Sequence, residues 1–389
     1  MKFKRIFVLI LDSLGVGEAI DANDYGDVGS NTLKHVMESS NVFAPNLKKL
    51  GLMNTINMDD NPNVDAYYTI ARPTNVGKDS LTSHYEIVGI PSKKFFKTFT
   101  ERGFPRELIE LIETETGKRI IGNKVADGEE IINELGERHL NYGSLILYTS
   151  QDSTLQVAAH EDVVPVSKLY NYCEKIRKIT ENDEWSIARV IARPFNGKIG
   201  KFKFTSDRVD YAMRPPTKSV LNSLKEKDYN VIAVGKISDL FGGSGITKVI
   251  KSSDNNIDTL NKLTDIMSKK FEGLCIVNLS DFDSLYGHLR DPDGYGRSLE
   301  EFDVEIPLIL NKLNSDDLLI ITADHGNDPT FGGSTHTREN VPVVIYGRLF
   351  RQPSKMEILN SMADIGATIA DNFDIDIPII GTSFLEKLK

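Results

Sequence analysis

Cysteine is scarce in this sequence, whose two residues of this type are Cys173 and Cys275. Their number and spacing suit neither a disulfide framework nor a cysteine-ligated metal site. We therefore expect a reduced, cytoplasmic setting in which both thiols are buried as small apolar side chains.

Long apolar runs are absent as well. No segment approaches the roughly 20 consecutive apolar residues that cross a membrane, so no membrane partner is expected. The apolar run in the N-terminal MKFKRIFVLILD ends at Asp12 without the small-residue cleavage site of a signal peptide. A first buried strand explains this run better.

Positive charge is in deficit, because the 389 residues carry 46 Lys and Arg against 56 Asp and Glu, a formal net charge of -10. A nucleic-acid surface needs clustered Lys and Arg, so no nucleic-acid partner is expected. The chain is also longer than one hydrophobic core usually fills, which predicts two domains.

What the chain does contain is ligand chemistry at the ends of short apolar runs. In LLIITADHGNDPTFGGSTH, residues 318–336, a run too short for a helix ends in Asp324 and His325, and His336 follows in a polar loop. Taken alone, a cap followed by a solvated loop explains the Asp-His pair equally well.

Two other predicted strands end in the same way, one in Asp12 and the other in a segment with Asp283 and His288. The carboxyl ends of parallel strands meet at one edge of an open α/β sheet, so these side chains are expected to converge. Mixed carboxylate and imidazole ligation suits Mn²⁺ or Zn²⁺ better than Ca²⁺. Two metal ions are predicted, and the candidate ligands are Asp12, Asp283, His288, Asp324, His325 and His336.

A hydroxyl nucleophile is predicted in NVGKDSLTSHYEIVG, residues 75–89. Gly77 permits a tight turn, and a helix begins around Asp79 and Ser80 and runs through Glu86. A hydroxyl in the first turn faces free N–H groups and the positive end of the helix dipole, which suits a residue that carries a phosphate. An ordinary serine or threonine cap is the commoner alternative. Beside metal ions, Ser80 could attack as an alkoxide.

Between Thr98 and Arg214, short strand-like runs alternate with charged helical segments. This predicts an α+β insertion, residues 98–215, between two parts of a core domain, residues 1–97 and 216–389. Pro215 and Pro216 are typical of a stiff return linker. Polar side chains in the insertion are substrate candidates, although each could instead pair on a solvated face; they are Asp152, Arg189, Arg193, Arg208 and Asp210.

The motifs together resemble those of the bacterial phosphopentomutases, a family of the alkaline phosphatase superfamily related to cofactor-independent phosphoglycerate mutases. The resemblance extends along essentially the whole chain and includes LDSLGVGEA, IIGNKVADG, LYTSQDS, QVAAHE, RVIARPF, VIAVGKISD, DFDSLYGH, ITADHGNDP and THTRE. It implies an alkaline-phosphatase-like α/β core, with a mainly parallel sheet flanked by helices and a smaller inserted α+β cap. It also implies interconversion of ribose or deoxyribose 1-phosphate with the 5-phosphate, as in nucleoside salvage.

By position, the resemblance assigns one metal ion to Asp12, Asp324 and His325, and the other to Asp283, His288 and His336. The ions in the family are two Mn²⁺, with other divalent ions possible, and the primer is glucose 1,6-bisphosphate or a pentose bisphosphate. Ser80 takes the place of the phosphorylated threonine. The substrate contacts implied are Asp152, Arg189, Arg208 and Lys236.

Several residues depart from the family pattern besides Ser80, namely Ser83, Tyr85, Val209 and Thr335. Val209 replaces a histidine in the insertion, where a change could alter substrate recognition. A related phosphosugar mutase or a metal-dependent phosphohydrolase is therefore the alternative function, and a non-catalytic binding protein is a third. The sequence leaves open the choice between ribose and deoxyribose, the metal used in cells and the oligomeric state.

Overall fold

A computed structural model describes residues 2–59, 62–93, 95–150, 152–182, 184–252, 255–333, 335–376 and 378–388. The chain divides into two compact units. Unit 1 comprises Met1–Lys94, Pro215–Ser238 and Gly243–Lys389, and unit 2 comprises Phe95–Arg214 and Asp239–Gly242. In the part of the chain that is described, no helix combines the length and the apolar character needed to cross a membrane.

Strands are numbered in chain order. They are β1 (Arg5–Leu11), β2 (Tyr67–Ala71), β3 (Ile120–Val125), β4 (Leu145–Thr149), β5 (Thr154–His160), β6 (Arg189–Lys198), β7 (Lys201–Phe204), β8 (Val209–Ala212), β9 (Asn230–Val234), β10 (Lys248–Ile250), β11 (Gly273–Leu279), β12 (Asp317–Thr322) and β13 (Val341–Tyr346).

Helices are numbered in the same way. They are α1 (Ala22–Tyr25), α2 (Thr32–Ser40), α3 (Pro45–Lys49), α4 (Ser80–Ile87), α5 (Arg106–Thr116), α6 (Gly128–Tyr142), α7 (Val166–Thr180), α8 (Val220–Glu226), α9 (Ile237–Leu240), α10 (Asn256–Met267), α11 (Pro292–Lys312) and α12 (Ala363–Asn372). Short 3-10 turns cover Met53–Ile56 and Leu385–Lys387, and a π-helical segment covers Phe282–Gly287.

Unit 1 contains a seven-stranded sheet in the order β10-β9-β11-β1-β12-β13-β2. The strands from β10 to β12 are mutually parallel, whereas β13 runs antiparallel to both of its neighbours. Every residue of β1, β11 and β12 is buried, as expected for strands covered by helices on both faces. The predicted α/β class with a mainly parallel sheet is confirmed.

Unit 2 contains a six-stranded mixed sheet in the order β3-β4-β5-β6-β7, with β8 paired to β6. One apolar cluster includes residues of α5 and α7, and a second includes residues of α6. Cys173 is buried in the first cluster, and Cys275 is buried in β11 of unit 1. Both are free thiols, as predicted.

Candidate metal centre

Neighbouring parallel strands β9, β11, β1 and β12 of unit 1 all end at the same edge of the sheet. Their exits bring the six predicted ligands together in two groups, each with ligand atoms within 4.8 Å of one another. We call Asp12, Asp324 and His325 the first ligand group, and Asp283, His288 and His336 the second ligand group.

The second ligand group forms a nearly equilateral triangle. The Oδ2 of Asp283 lies 3.2 Å from the Nε2 of His288 and 3.4 Å from the Nε2 of His336, and the two Nε2 atoms are 3.2 Å apart. Ligand atoms about 2.1 Å from one ion are separated by about 3.0–3.4 Å, depending on coordination geometry. The spacing therefore fits a shared divalent cation.

A π-helical turn brings Asp283 and His288 onto one side. The N–H of His288 donates to the carbonyl of Asp283 at 2.9 Å, which is the i→i+5 bond of a π-helix. Five residues of α-helix would rotate the two side chains well apart. This turn therefore explains why a spacing of five residues serves as a ligand pair.

The first ligand group is buried and has unsatisfied oxygen atoms. The Nε2 of His325 lies 3.3 Å from the Oδ2 of Asp324 and 3.8 Å from the Oδ1 of Asp12. Among the described residues, neither of these two carboxylate oxygens has a hydrogen-bond partner. Buried oxygens of this kind are costly unless a cation binds them, so the first group also fits a metal ion.

Backbone carbonyls orient two of the imidazoles. The Nδ1 of His325 lies 3.2 Å from the carbonyl oxygen of Gly326, and the Nδ1 of His336 lies 2.8 Å from that of Lys78. A carbonyl only accepts, so each Nδ1 donates its proton. The Nε2 atoms consequently face their ligand groups, as in histidine ligands whose second nitrogen is held by a carbonyl.

Three buried carboxylates share this edge with one ammonium group. Burial and the negative charge of Asp324 together raise the pKa of Asp12 to about 6, although Lys236 acts to lower it. Burial also raises the pKa of Asp324. For Asp283, burial acts in the same direction, but His336 and His288 hold its pKa well below the ordinary value. The carboxylates outnumber the ammonium group, and this excess of negative charge favours the binding of cations.

Lys236 forms an ion pair with Asp12 and donates a hydrogen bond of 3.1 Å to the Oγ of Ser80. Burial alone would lower the pKa of Lys236, but the carboxylates of Asp12, Asp324 and Asp283 raise it above its ordinary value. The side chain therefore stays cationic. It lies in the ligand site itself, between a metal-ligand candidate and the predicted nucleophile.

Ser80 is the first residue of α4, and its Oγ lies 3.1 Å from the Nε2 of His325. The helix begins where predicted, and its cap is Asp79, which accepts from the N–H of Thr82 at 3.0 Å. The role of Gly77 differs from the expectation of a tight turn. A Cβ there would lie 2.4 Å from Asp79 Oδ2 and Thr82 Oγ1, so the glycine allows close approach of the cap.

The predicted substrate residues of unit 2 form an ion-pair cluster. Arg208 binds both carboxylate oxygens of Asp210, at 2.7 and 2.9 Å, and the Nη1 of Arg189 lies 3.5 Å from the same carboxylate. Arg208 and Arg189 hold the pKa of the Asp210 carboxyl below its ordinary value, although burial raises it. Among the described residues, no hydrogen bond or ion pair joins the carboxylate of Asp152 to this cluster.

Sequence reasoning missed three residues that support the site. The Nδ2 of Asn327 donates to the Oδ1 of Asp283 at 2.7 Å, and Arg290 donates to the Oδ1 of Asn327 at 2.6 Å. The Nδ1 of His84 donates to the carbonyl of Ser80 at 2.7 Å, and burial and Lys236 lower the pKa of His84 to about 4. Asn327 stands two positions after His325, which was the available signal.

The two ligand groups and the hydroxyl of Ser80 lie together at the carboxyl edge of a parallel α/β sheet. This arrangement defines a metal-dependent enzyme. The model of the Metalloenzyme superfamily matches residues 4–377. The chain therefore belongs to this superfamily, that of the alkaline phosphatases, and has the predicted alkaline-phosphatase-like α/β fold.

Solved structures with similar chain paths come from several organisms. The PH0037 protein of Pyrococcus horikoshii is 16% identical, with 96% of this chain and 97% of that chain covered and a TM-score of 0.49. A phosphoglycerate mutase of Leishmania mexicana is 13% identical, with 98% and 97% covered and a TM-score of 0.47. A protein in the alkaline phosphatase superfamily from Vibrio parahaemolyticus is 13% identical, with 100% and 71% covered and a TM-score of 0.48.

Proposed function

We propose that this protein is a phosphopentomutase that interconverts ribose or deoxyribose 1-phosphate and the corresponding 5-phosphate. One observation carries the proposal. The hydroxyl of Ser80 lies 3.1 Å from the Nε2 of His325 and 3.1 Å from the Nζ of Lys236. A hydroxyl held between a ligand group and an ammonium is positioned as a nucleophile for phosphorus.

Local contacts favour phosphate on Ser80. The first turn of α4 contributes the positive end of its dipole, and Lys236 contributes a full positive charge. His84 donates to the carbonyl of Ser80 and stays neutral, so it fixes the backbone of the nucleophile without adding charge. These residues position the serine and stabilise the negative charge that develops around it.

The first ligand group would hold one divalent cation beside Ser80, and the second ligand group would hold the other. We propose Mn²⁺ for both because the ligands mix carboxylate and imidazole. When bound, the cations would lower the pKa of the serine hydroxyl and neutralise charge on the phosphoryl oxygens.

In the proposed cycle, phosphorylated Ser80 first transfers its phosphoryl group to the free hydroxyl of the pentose phosphate. The bond between phosphorus and the serine oxygen breaks, a bond to the sugar oxygen forms, and the sugar hydroxyl proton is released. The resulting bisphosphate then returns its other phosphoryl group to Ser80, and the sugar oxygen that leaves takes up a proton. Glucose 1,6-bisphosphate or a pentose bisphosphate would supply the first phosphoryl group.

We assign recognition of the sugar phosphate to Asp152, Arg189 and Arg208 of unit 2, together with Lys236. The departure at Val209 is compatible with this assignment. Val209 packs against the apolar cluster of unit 2, whereas the neighbouring Asp210 pairs with Arg208 on the strand's other face. The valine thus replaces the family's histidine without removing a group from the ion-pair cluster.

The test is a phosphate balance on protein loaded with Mn²⁺ and primed with glucose 1,6-bisphosphate. Ribose 5-phosphate is supplied, and ribose 1-phosphate and free phosphate are measured together. We expect ribose 1-phosphate without free phosphate, and a phosphorylated peptide that contains Ser80. The matched control is S80A. It should retain Mn²⁺ but form neither ribose 1-phosphate nor the phosphorylated peptide.

Three results would contradict the proposal in different ways. Free phosphate released in proportion to consumed sugar phosphate would identify a metal-dependent phosphohydrolase. Ser80 phosphorylation without turnover of ribose or deoxyribose phosphates would indicate a mutase for another phosphosugar. Absence of both phosphoenzyme and product would favour a binding protein.

A further inference from the structure

Arg290 lies two residues after His288 and adopts a left-handed backbone conformation with φ of 56°. Its guanidinium donates to five oxygen atoms, four of which are backbone carbonyls. Left-handed backbone is uncommon for residues other than glycine, asparagine and aspartate, and it is retained where the surroundings determine the conformation. Here the five acceptors that hold the guanidinium fix the conformation of Arg290.

Three of the five contacts reach the members of the second ligand group, each through an immediate neighbour or a bridging amide. Arg290 donates to the Oδ1 of Asn327 at 2.6 Å, and the Nδ2 of the same amide donates to the Oδ1 of Asp283 at 2.7 Å. This bridge leaves the Oδ2 of Asp283 facing the two imidazoles.

The two histidines are held through the backbone. Arg290 Nη1 donates to the carbonyl of Gly287 at 3.1 Å, directly before His288. Arg290 Nη2 donates to the carbonyl of Thr335 at 3.0 Å, directly before His336. Since the second contact uses a carbonyl, it does not require an acidic side chain at position 335.

Two further contacts stabilise the loop between the two ligand groups. Arg290 Nη1 lies 2.9 Å from the carbonyl of Asp328, and Nε lies 2.5 Å from that of Gly333. The guanidinium offers five N–H donors in a fixed planar fork, whereas a lysine ammonium offers three donors from one nitrogen atom. A lysine at this position could therefore not bind all five acceptors.

We propose that Arg290, acting through Asn327, is a positioning residue that sets the geometry of the second ligand group and thereby its metal affinity. The inference rests on the proposed metal-dependent function, and it concerns one of the two groups only. In the first group, the imidazole of His325 is oriented by a different carbonyl, that of Gly326.

The experiment titrates Mn²⁺ into metal-free wild type, R290M, R290K and a control variant, R348M. Arg348 also donates to two backbone carbonyls of unit 1, those of Leu310 and Asn311. Calorimetry gives the affinity of each site, and electron paramagnetic resonance distinguishes a single bound Mn²⁺ from a coupled pair.

In R290M we expect one site to bind within about twofold of wild type and the other to weaken by about 10-fold to 100-fold, the usual effect of losing an outer partner of metal ligands. At Mn²⁺ concentrations that fill both wild-type sites, R290M should show the signal of a single ion. The Mn²⁺ affinity of the weakened site should be intermediate in R290K, and both affinities of R348M should match those of wild type.

Unchanged affinity at both sites in R290M, or equal weakening of both, would overturn the inference. If R290M does not fold, N327A removes only the amide bridge, and it should weaken the same single site; unchanged binding in N327A would overturn the inference. A wild-type protein that binds two Mn²⁺ but transfers no phosphoryl group would contradict the proposed function alone.

Discussion

The Oγ of Ser80 lies 3.1 Å from the Nε2 of His325, and the Nδ1 of that histidine donates to the carbonyl of Gly326. The hydroxyl therefore faces the lone pair of the Nε2 of His325 in the first ligand group. Because Ser80 adjoins the first ligand group without belonging to it, variants at this position should change phosphoryl transfer while Mn²⁺ binding is retained.

Replacement of Ser80 with alanine should lower phosphoryl transfer by at least roughly a thousandfold, because the attacking atom is lost. S80T should keep most of the activity, since threonine offers the same hydroxyl with one additional methyl group. Initial rates and the mass of the phosphorylated protein measure both effects. Activity of S80A within tenfold of wild type would show that another group attacks.

Neutralising Asp324 should have opposite effects on stability and on metal binding. Burial raises the pKa of Asp324, so its charged form is unfavourable in the metal-free protein. In chelator, D324N should therefore resist urea better than wild type, by about 1 kcal/mol. Mn²⁺ at about 100 times its dissociation constant should stabilise wild type by about 2.7 kcal/mol and D324N by much less.

The matched control for D324N is D316N, which neutralises a partly exposed carboxylate paired with Lys4 at 3.0 Å. It should leave urea resistance nearly unchanged in chelator and preserve the full response to Mn²⁺. A D324N protein that is less stable than wild type in chelator, or equally stabilised by Mn²⁺, would argue against a cation-dependent first ligand group.

Strand exits could be predicted from the sequence because their signal is local. An apolar run that ends in Asp12 or in Asp324 specifies both a buried strand and the edge where its carboxylate lies. Parallel pairing of β1 with β12 then places the two carboxylates side by side. The start of α4 was predictable for the same reason, since Asp79 and Thr82, which form its cap, are close in the chain.

Contacts that depend on tertiary packing could not be predicted in this way. The π-helical turn that aligns Asp283 with His288 has no distinctive local pattern, and the long helix α11 contains Pro307, which normally interrupts a helix. Arg290 contacts Asn327 across 37 positions of sequence. Its role depends on carbonyl groups, which every residue type provides.

Glu86 should be essential to the stability of α4. Its buried carboxylate accepts hydrogen bonds from the side chains and backbone N–H groups of Thr74 and Asn75, and from Ser361 and Met362. E86Q would point an amide donor at these donors, so unfolding should become easier by about 2–3 kcal/mol. The measurement is urea denaturation.

A suitable control for E86Q is E113Q, because the Oε1 of Glu113 accepts from the N–H of Ile120 at 2.8 Å, an acceptor that glutamine retains. Its free energy of unfolding should change by less than about 1 kcal/mol. Equal losses in E86Q and E113Q would mean that the donors around Glu86 contribute little.

His139 in unit 2 should make stability depend on pH. Its Nδ1 donates to the carbonyl of Ser144 at 2.6 Å, and its Nε2 accepts from the N–H of His160 at 2.9 Å, so protonation would break the second bond. Burial lowers the pKa of His139 from 6.5. The unfolded chain therefore binds the proton more readily, and stability falls as pH drops below about 6.5, by at most about 1.4 kcal/mol per pH unit. H139Q should be less stable than wild type at pH 7.5 but should lack this pH-dependent loss of stability. The measurement is urea denaturation of both proteins from pH 7.5 to 5.5, and parallel profiles would refute the prediction.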